Sequence, residues 1–199
     1  MPEISLADPG QIVITASRAD EEADRTPASV TVLGPDVIDR LGEPLLIALL
    51  RLTPSAAVAS SGPAGSFTEV RIRGSEANHS LLFLDGIKLN DPASGDIPRF
   101  ELLNADLASR IEVVRGPQSA LWGSDAIGGV IAVNGLDDPS GWSARGEGGS
   151  FGFRRANGGV GTRAGRFTLA AAAGWQSALG IDSFGSPGGD RDSYRNLSG

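Results

Sequence analysis

Three carboxylates, Asp182, Asp190 and Asp192, fall within eleven residues of GIDSFGSPGGDRDSY, a segment rich in glycine and proline. Carboxylates so spaced on a loop can converge on one cation. Calcium accepts about six to eight oxygens in loose geometry, so such a loop suits it better than magnesium. The same residues also make an ordinary solvated acidic loop. Other chemistry is scarce. There is no cysteine and a single histidine, His79, beside Asn78 in a turn, so zinc has no ligand set. No acid-oriented histidine stands by a serine to make a nucleophile. The glycines between 116 and 129 lack the Lys-Ser/Thr pair of a phosphate cradle. The residues therefore speak for binding, and not for an enzyme.

The elements that must position these residues change character along the chain. Gly34-Pro35-Asp36 opens a short helix, with proline where its missing N–H costs nothing. Leu45, Leu46, Ala48, Leu49 and Leu52 make an apolar helical stripe within residues 43–52, ended by Thr53-Pro54. Val70 and Ile72 alternate with Glu69, Arg71 and Arg73, as in a strand with one apolar face. Residues 80–84 are nearly all apolar and predict a strand buried on both faces, followed by a hairpin turn at Asp85-Gly86. A short helix is predicted within residues 100–107 and a strand over 108–114. Residues 110–133, RIEVVRGPQSALWGSDAIGGVIAV, read as strand, Gly-Pro turn, short tight segment, glycine turn and strand.

Beyond the turn residues 137–141 the period becomes two. Phe167, Leu169, Ala171, Ala173 and Trp175 share one face, with Arg166 and Gln176 on the other. Residues 142–151 and 153–161 are also extended. Sixty-two residues follow Asp137, enough for about three to four strands of about 10 residues with turns. A net charge of −7 argues against nucleic acid. No run of 18 apolar residues offers a transmembrane helix, which leaves barrel strands open.

Four segments in this order resemble TonB-dependent outer-membrane receptors. QIVITASR (11–18) is similar to the TonB box. SVTVLGPDVIDRLG and EPLLIALLRLTPSAAV are similar to the first strand and two helices of the plug. RIRGSEANHSLLFLDGIKLND (71–91) and residues 110–133 are similar to its central and final segments. The resemblance runs from about residue 11 to 137, and within the family it is nearest to receptors for cobalamin. It implies an α+β plug domain, a mixed small sheet with short helices, followed by antiparallel β-strands of an incomplete transmembrane β-barrel. The divisions expected are residues 1–26 for TonB box and flexible linker, 27–137 for the plug and 138–199 for the first barrel strands. An open sheet edge cannot face lipid, so the chain is expected to be the N-terminal piece of a receptor.

The resemblance also implies roles. Gln11, Ile12, Val13, Ile14, Thr15 and Ala16 would pair edge-on with TonB, the periplasmic energy-transducing protein. Arg71, Arg73, Glu112 and Arg115 would form arginine–carboxylate pairs within the plug or from plug to barrel, a structural network favoured over the competing reading of surface charge on strand faces. Apical loops would carry substrate contacts at Ser61, Gly62, Ser66, Asn90, Asp91 and Ser94, where plain connection is the competing reading. The acidic loop resembles a calcium-binding loop of the cobalamin receptors. The expected setting is the outer membrane of a Gram-negative bacterium, with lipid around the barrel and cobalamin, or a ferric siderophore, as ligand. A stand-alone plug-like binding or adaptor module is the reading from another class.

Overall fold

The computed structural model describes residues 12–13, 21–22, 26–135, 141–182, 185, 189 and 191–199. Two short strands, β1 (Ile12–Val13) and β2 (Glu21–Glu22), pair antiparallel. They are followed by β3 (Ser29–Leu33), helices α1 (Pro35–Leu41) and α2 (Leu46–Leu50), and the hairpin β4 (Ala56–Ser60) and β5 (Thr68–Ile72). Then come β6 (Ser80–Leu84), β7 (Ile87–Lys88), β8 (Asn90–Asp91) and β9 (Ile97–Pro98). The unit closes with β10 (Arg110–Arg115), α3 (Ser119–Trp122) and β11 (Gly129–Asn134).

Its main sheet has the order β3-β10-β11-β6-β7. The sheet is mixed: β11 runs parallel to β6 and every other pairing is antiparallel. The parallel pair is possible because a long connection, residues 85–128, separates the two strands. Asp85 (φ 47°) and Gly86 (φ 81°) make the hairpin turn expected between β6 and β7, with Leu84 opposite Ile87. One face of this sheet, with Leu33, Ile111, Val113, Ile131 and Val133, packs on the apolar stripe Leu46, Leu49 and Leu50 of α2. The alternation of β5 puts Val70 and Ile72 into the same core, both fully buried.

Two sequence expectations are refined here. The helix predicted over 43–52 is regular only over Leu46–Leu50: Leu45 is extended (φ −114°, ψ 137°) and bridges Asn104 instead, and Thr53-Pro54 ends the run. The helix predicted in 100–107 is two single 3₁₀ turns, Phe100–Leu102 and Ala105–Leu107. Phe100 and Ala105 anchor the turns in the core, and Leu103 N–H turns back to Phe100 O at 3.1 Å. Tertiary burial, not helical periodicity, sets the path of this segment.

A second sheet follows, β12 (Gly141–Gly148), β13 (Arg154–Ala164), β14 (Phe167–Ala178) and β15 (Tyr194–Ser198), antiparallel and in chain order. Among the described residues, β12 and β15 each have one strand neighbour.

Candidate functional site

The register of the second sheet separates two faces of opposite chemistry. Trp142 opposes Val160, Ala171 lies beyond them, and Leu169, Trp175 and Leu197 share their side. These large apolar groups point away from the rest of the molecule: Trp142 is 82% exposed, Leu169 70% and Leu197 80%. The other face carries Arg145, Glu147, Arg155, Asn157, Gln176, Asn196 and Ser198, and this polar face is covered along β13 and β14, while Arg145 and Glu147 on β12 stay exposed. Arg155 and Gln176 have almost no exposure. A sheet in water places its apolar face inward. Here the arrangement is reversed, as required of a wall with lipid outside and a polar interior.

What covers the polar face is the plug segment around residues 101–106. This segment is held by backbone bonds to the start of α2: Leu46 N–H donates to Leu103 O at 3.2 Å and Ala105 N–H to Pro44 O at 3.1 Å. Asn104 thereby reaches the wall, donating to Asn196 Oδ1 at 2.9 Å and Ser198 Oγ at 2.8 Å. Gln176 donates to Asn104 Oδ1 and to the Tyr194 hydroxyl. Asn196 donates to Leu102 O at 2.9 Å. Gly174 makes the close approach possible: a Cβ there would lie 3.1 Å from Ser198 Oγ and 3.6 Å from Asp106 Oδ2.

Asp106 and Arg155 form the most deeply buried ion pair across the seam, at 3.2 Å, with each side chain 2% exposed. Arg155 also meets Glu147 at 2.8 Å and the Gly42 carbonyl at 3.2 Å. Arg145 reaches Asp39 of α1 at 3.2 Å. Burial raises the Asp106 carboxyl above its usual value of 3.8, with Arg155, Asn157 and Arg145 pulling it down and Glu147 adding to the rise. None of these residues was picked out from the sequence. The usable signal was the polar set on the strands opposite Trp142, Leu169 and Trp175, which marks an inward face once the strands are known to be a wall.

The four charged residues expected to make one network are placed in three locations. Arg71 lies on β5 with Glu69 Oε2 at 2.8 Å, both near the surface. Glu112 is fully buried on β10 and is held by Arg110 at 2.8 Å. Arg73 and Arg115 come together. Arg73 donates to Ser29 Oγ at 3.1 Å and Arg115 to Pro54 O at 3.3 Å. Among the described residues neither meets a carboxylate. Burial, then the charge of Arg73, lowers the tendency of Arg115 to hold its proton.

The expected substrate loops lie at the end of the wall where β14 connects to β15. Ser61, Gly62 and Ser66 form one closed turn between β4 and β5, with Ser61 N–H on Phe67 O and Ser66 N–H on Pro63 O, both at 3.0 Å. Gly65, in the same turn, is packed against the Tyr194 ring. Arg99, which follows the second loop, sits 5.8 Å over the Phe67 ring and so brings the two loops together. In that loop Asp91 accepts from Ala93 N–H at 2.9 Å and from Ser94 Oγ at 3.0 Å. Asn90 is buried, and its amide is committed to Leu82 N–H, Ser80 O and Asp96 O. It braces the loop. Nearby, Lys88 bonds Asp125 at 2.9 Å and lowers its carboxyl pKa, with Ser124 assisting.

Of the residues expected to form the TonB box, Ile12 and Val13 pair with Glu22 and Glu21, whereas Gln11, Ile14, Thr15 and Ala16 lie outside the described residues. Asp182 and Asp192 stand on facing arms of the β14–β15 connection, where Asp192 N–H donates to Ile181 O at 3.1 Å. Asp190 lies outside the described residues.

This combination, a small mixed sheet with short helices seated on the polar face of an outward-apolar wall, defines a plugged-barrel protein. The TonB-dependent receptor plug domain model matches residues 22–130, more than half of the chain. The chain belongs to that family. It is 35% identical over 122 residues to the vitamin B12 transporter of Vibrio vulnificus, a match covering 61% of this chain and 20% of the transporter. The chain therefore spans about a fifth of the length of that relative. Among solved structures, the pyoverdine outer-membrane receptor of Pseudomonas aeruginosa superposes with a TM-score of 0.73 at 22% identity, over 90% of this chain and 26% of the receptor. The ferric yersiniabactin uptake receptor of Yersinia pestis superposes with a TM-score of 0.62 at 20% identity, over 84% of this chain and 27% of the receptor. These likenesses establish the fold.

Proposed function

We propose that this chain is the plug and first wall strands of an outer-membrane receptor of a Gram-negative bacterium that takes up cobalamin with energy supplied through TonB. The observation that carries the reading is the reversed wall, polar toward the plug and apolar outward, with one unpaired edge at each of β12 and β15 among the described residues. Those edges need further strands before lipid can surround them, because unpaired N–H and C=O groups in hydrocarbon cost several kcal/mol each. The likeness to a vitamin B12 transporter supports the choice of ligand. Residues 11–16 act as the segment captured by TonB, by strand addition. Ser61, Gly62, Ser66, Asp91 and Ser94 face the ligand at the apex, with Asn90 holding its loop. Arg73 and Arg115 pair with carboxylates of later wall strands, which a guanidinium fork suits. The chain performs no catalysis.

Calorimetry of the complete receptor tests the ligand: cobalamin binds saturably and ferric siderophores do not. Saturable binding of a siderophore without cobalamin binding would replace the assignment. We also propose that Asp182, Asp190 and Asp192 contribute to a calcium site, completed by later loops. Adding calcium then tightens ligand binding in the parent receptor, and Asp192→Asn removes most of that gain. An equal calcium response in parent and variant would exclude the aspartate from the site.

A further inference from the structure

The partners of Arg155 belong to two bodies. Asp106 and the Gly42 carbonyl are on the plug, each at 3.2 Å; Glu147 is on the neighbouring wall strand at 2.8 Å, directly opposite Arg155 in the ladder. The Arg155 and Asp106 side chains are both enclosed, whereas Glu147 is 46% exposed. Stripping one partner from a buried ion pair is costly because it strands the other charge. Any movement of the plug away from the wall removes Asp106 and Gly42 from Arg155 together. Glu147 does not leave with them. Asp106 is a carboxylate whose hydration burial has already taken away, so departure restores it. A cavity of about 450 Å³ adjoins it, lined by Asp39, Glu43, Ser143, Arg145 and Asn157, and offers room and polar surface between plug and wall.

We propose that Arg155 is a transferable clasp: it holds the plug to the wall through Asp106 and Gly42 and is retained by Glu147 when the plug is pulled, so that unseating strands no buried charge. The device rests on the transport reading above and explains how a seam with a buried ion pair can both seal and open. It predicts that the two partners act in opposite directions. Asp106 stabilises the seated state only. Glu147 serves the released state more, since there it is the sole carboxylate left to Arg155.

The test is the frequency of plug-opening conductance steps in the complete receptor in planar bilayers, without ligand or TonB. Arg155→Met removes the clasp and opens the pore roughly a hundredfold more often, the scale of breaking a buried pair by removing one partner. Arg155→Lys keeps the charge and opens less often than Arg155→Met. Glu147→Gln opens less often than the parent. Lowering the pH recloses Arg155→Met, because an Asp106 deprived of Arg155, with only Arg145 and Asn157 to offset burial and Glu147, takes up a proton more readily when seated than when released. If Glu147→Gln opens the pore as Arg155→Met does, Glu147 merely orients the arginine and the clasp is refuted; unchanged frequencies in both variants refute it as well. The readout needs only a pore closed by a plug. A receptor that conducts no better after deletion of residues 26–135 would instead overturn the transport reading beneath it.

Discussion

Deleting residues 11–16 from the complete receptor is expected to abolish ligand uptake while leaving ligand binding unchanged. The segment carries Ile12, Val13, Ile14 and Thr15 in succession, β-branched residues that favour an extended chain. An extended segment can add to the sheet edge of another protein through main-chain bonds, which is a strong attachment for so few residues. A single substitution, Ile14→Pro, should do much of the same, since proline removes a ladder donor. Uptake would be followed with radiolabelled ligand in energised cells, and binding with the same ligand in isolated membranes. Uptake surviving the deletion would show that force does not enter through this segment.

The second large effect is on the plug itself. Gly129→Ala should destabilise it by about 2–4 kcal/mol. Gly129 begins β11 opposite Arg115 of β10. A Cβ there would be driven into the Val114 carbonyl, nearer than any real contact allows, and would lie 3.0 Å from Ile72 Cδ1. Neither can yield cheaply: Val114 O is backbone of β10, a strand paired on both sides, and Ile72 is fully buried. Since β11 bridges β10 and β6, its displacement loosens the sheet on both sides. Hydrogen exchange of the β10 and β11 amides in the complete receptor would report the loss of protection. Protection equal to the parent's would mean that the strands shift without cost and that this glycine is not required.

The glycine effect illustrates how far the sequence reaches. Gly128-Gly129 reads as punctuation between α3 and β11, yet the demand at Gly129 comes from a carbonyl fifteen residues away in the chain. The strands, the α2 stripe and the Asp85-Gly86 turn are legible because each depends on neighbours within a few residues, through period, branching and turn chemistry. The 3₁₀ path of residues 100–107 is not, because the core residues that Phe100 and Ala105 pack among belong to other elements. Arg71, Arg73, Glu112 and Arg115 look like one set in the sequence but end in three places, since strand order and facing decide which guanidinium meets which oxygen.

What the sequence alone determined is the family, through ordered motifs, and the two regimes of the chain, a small mixed α+β unit and then strands with one apolar face. Alternation says that the two faces of those strands differ; it does not say which one is inward. The tertiary structure decided that the polar face of β12–β15 meets the plug and the apolar face meets the outside. It also joined Asp106, Gly42, Glu147 and Arg155. The ion pair from Arg155 to Asp106 spans nearly fifty residues of chain and owes its existence to burial on both sides, a property of the packed assembly that no local window of residues contains.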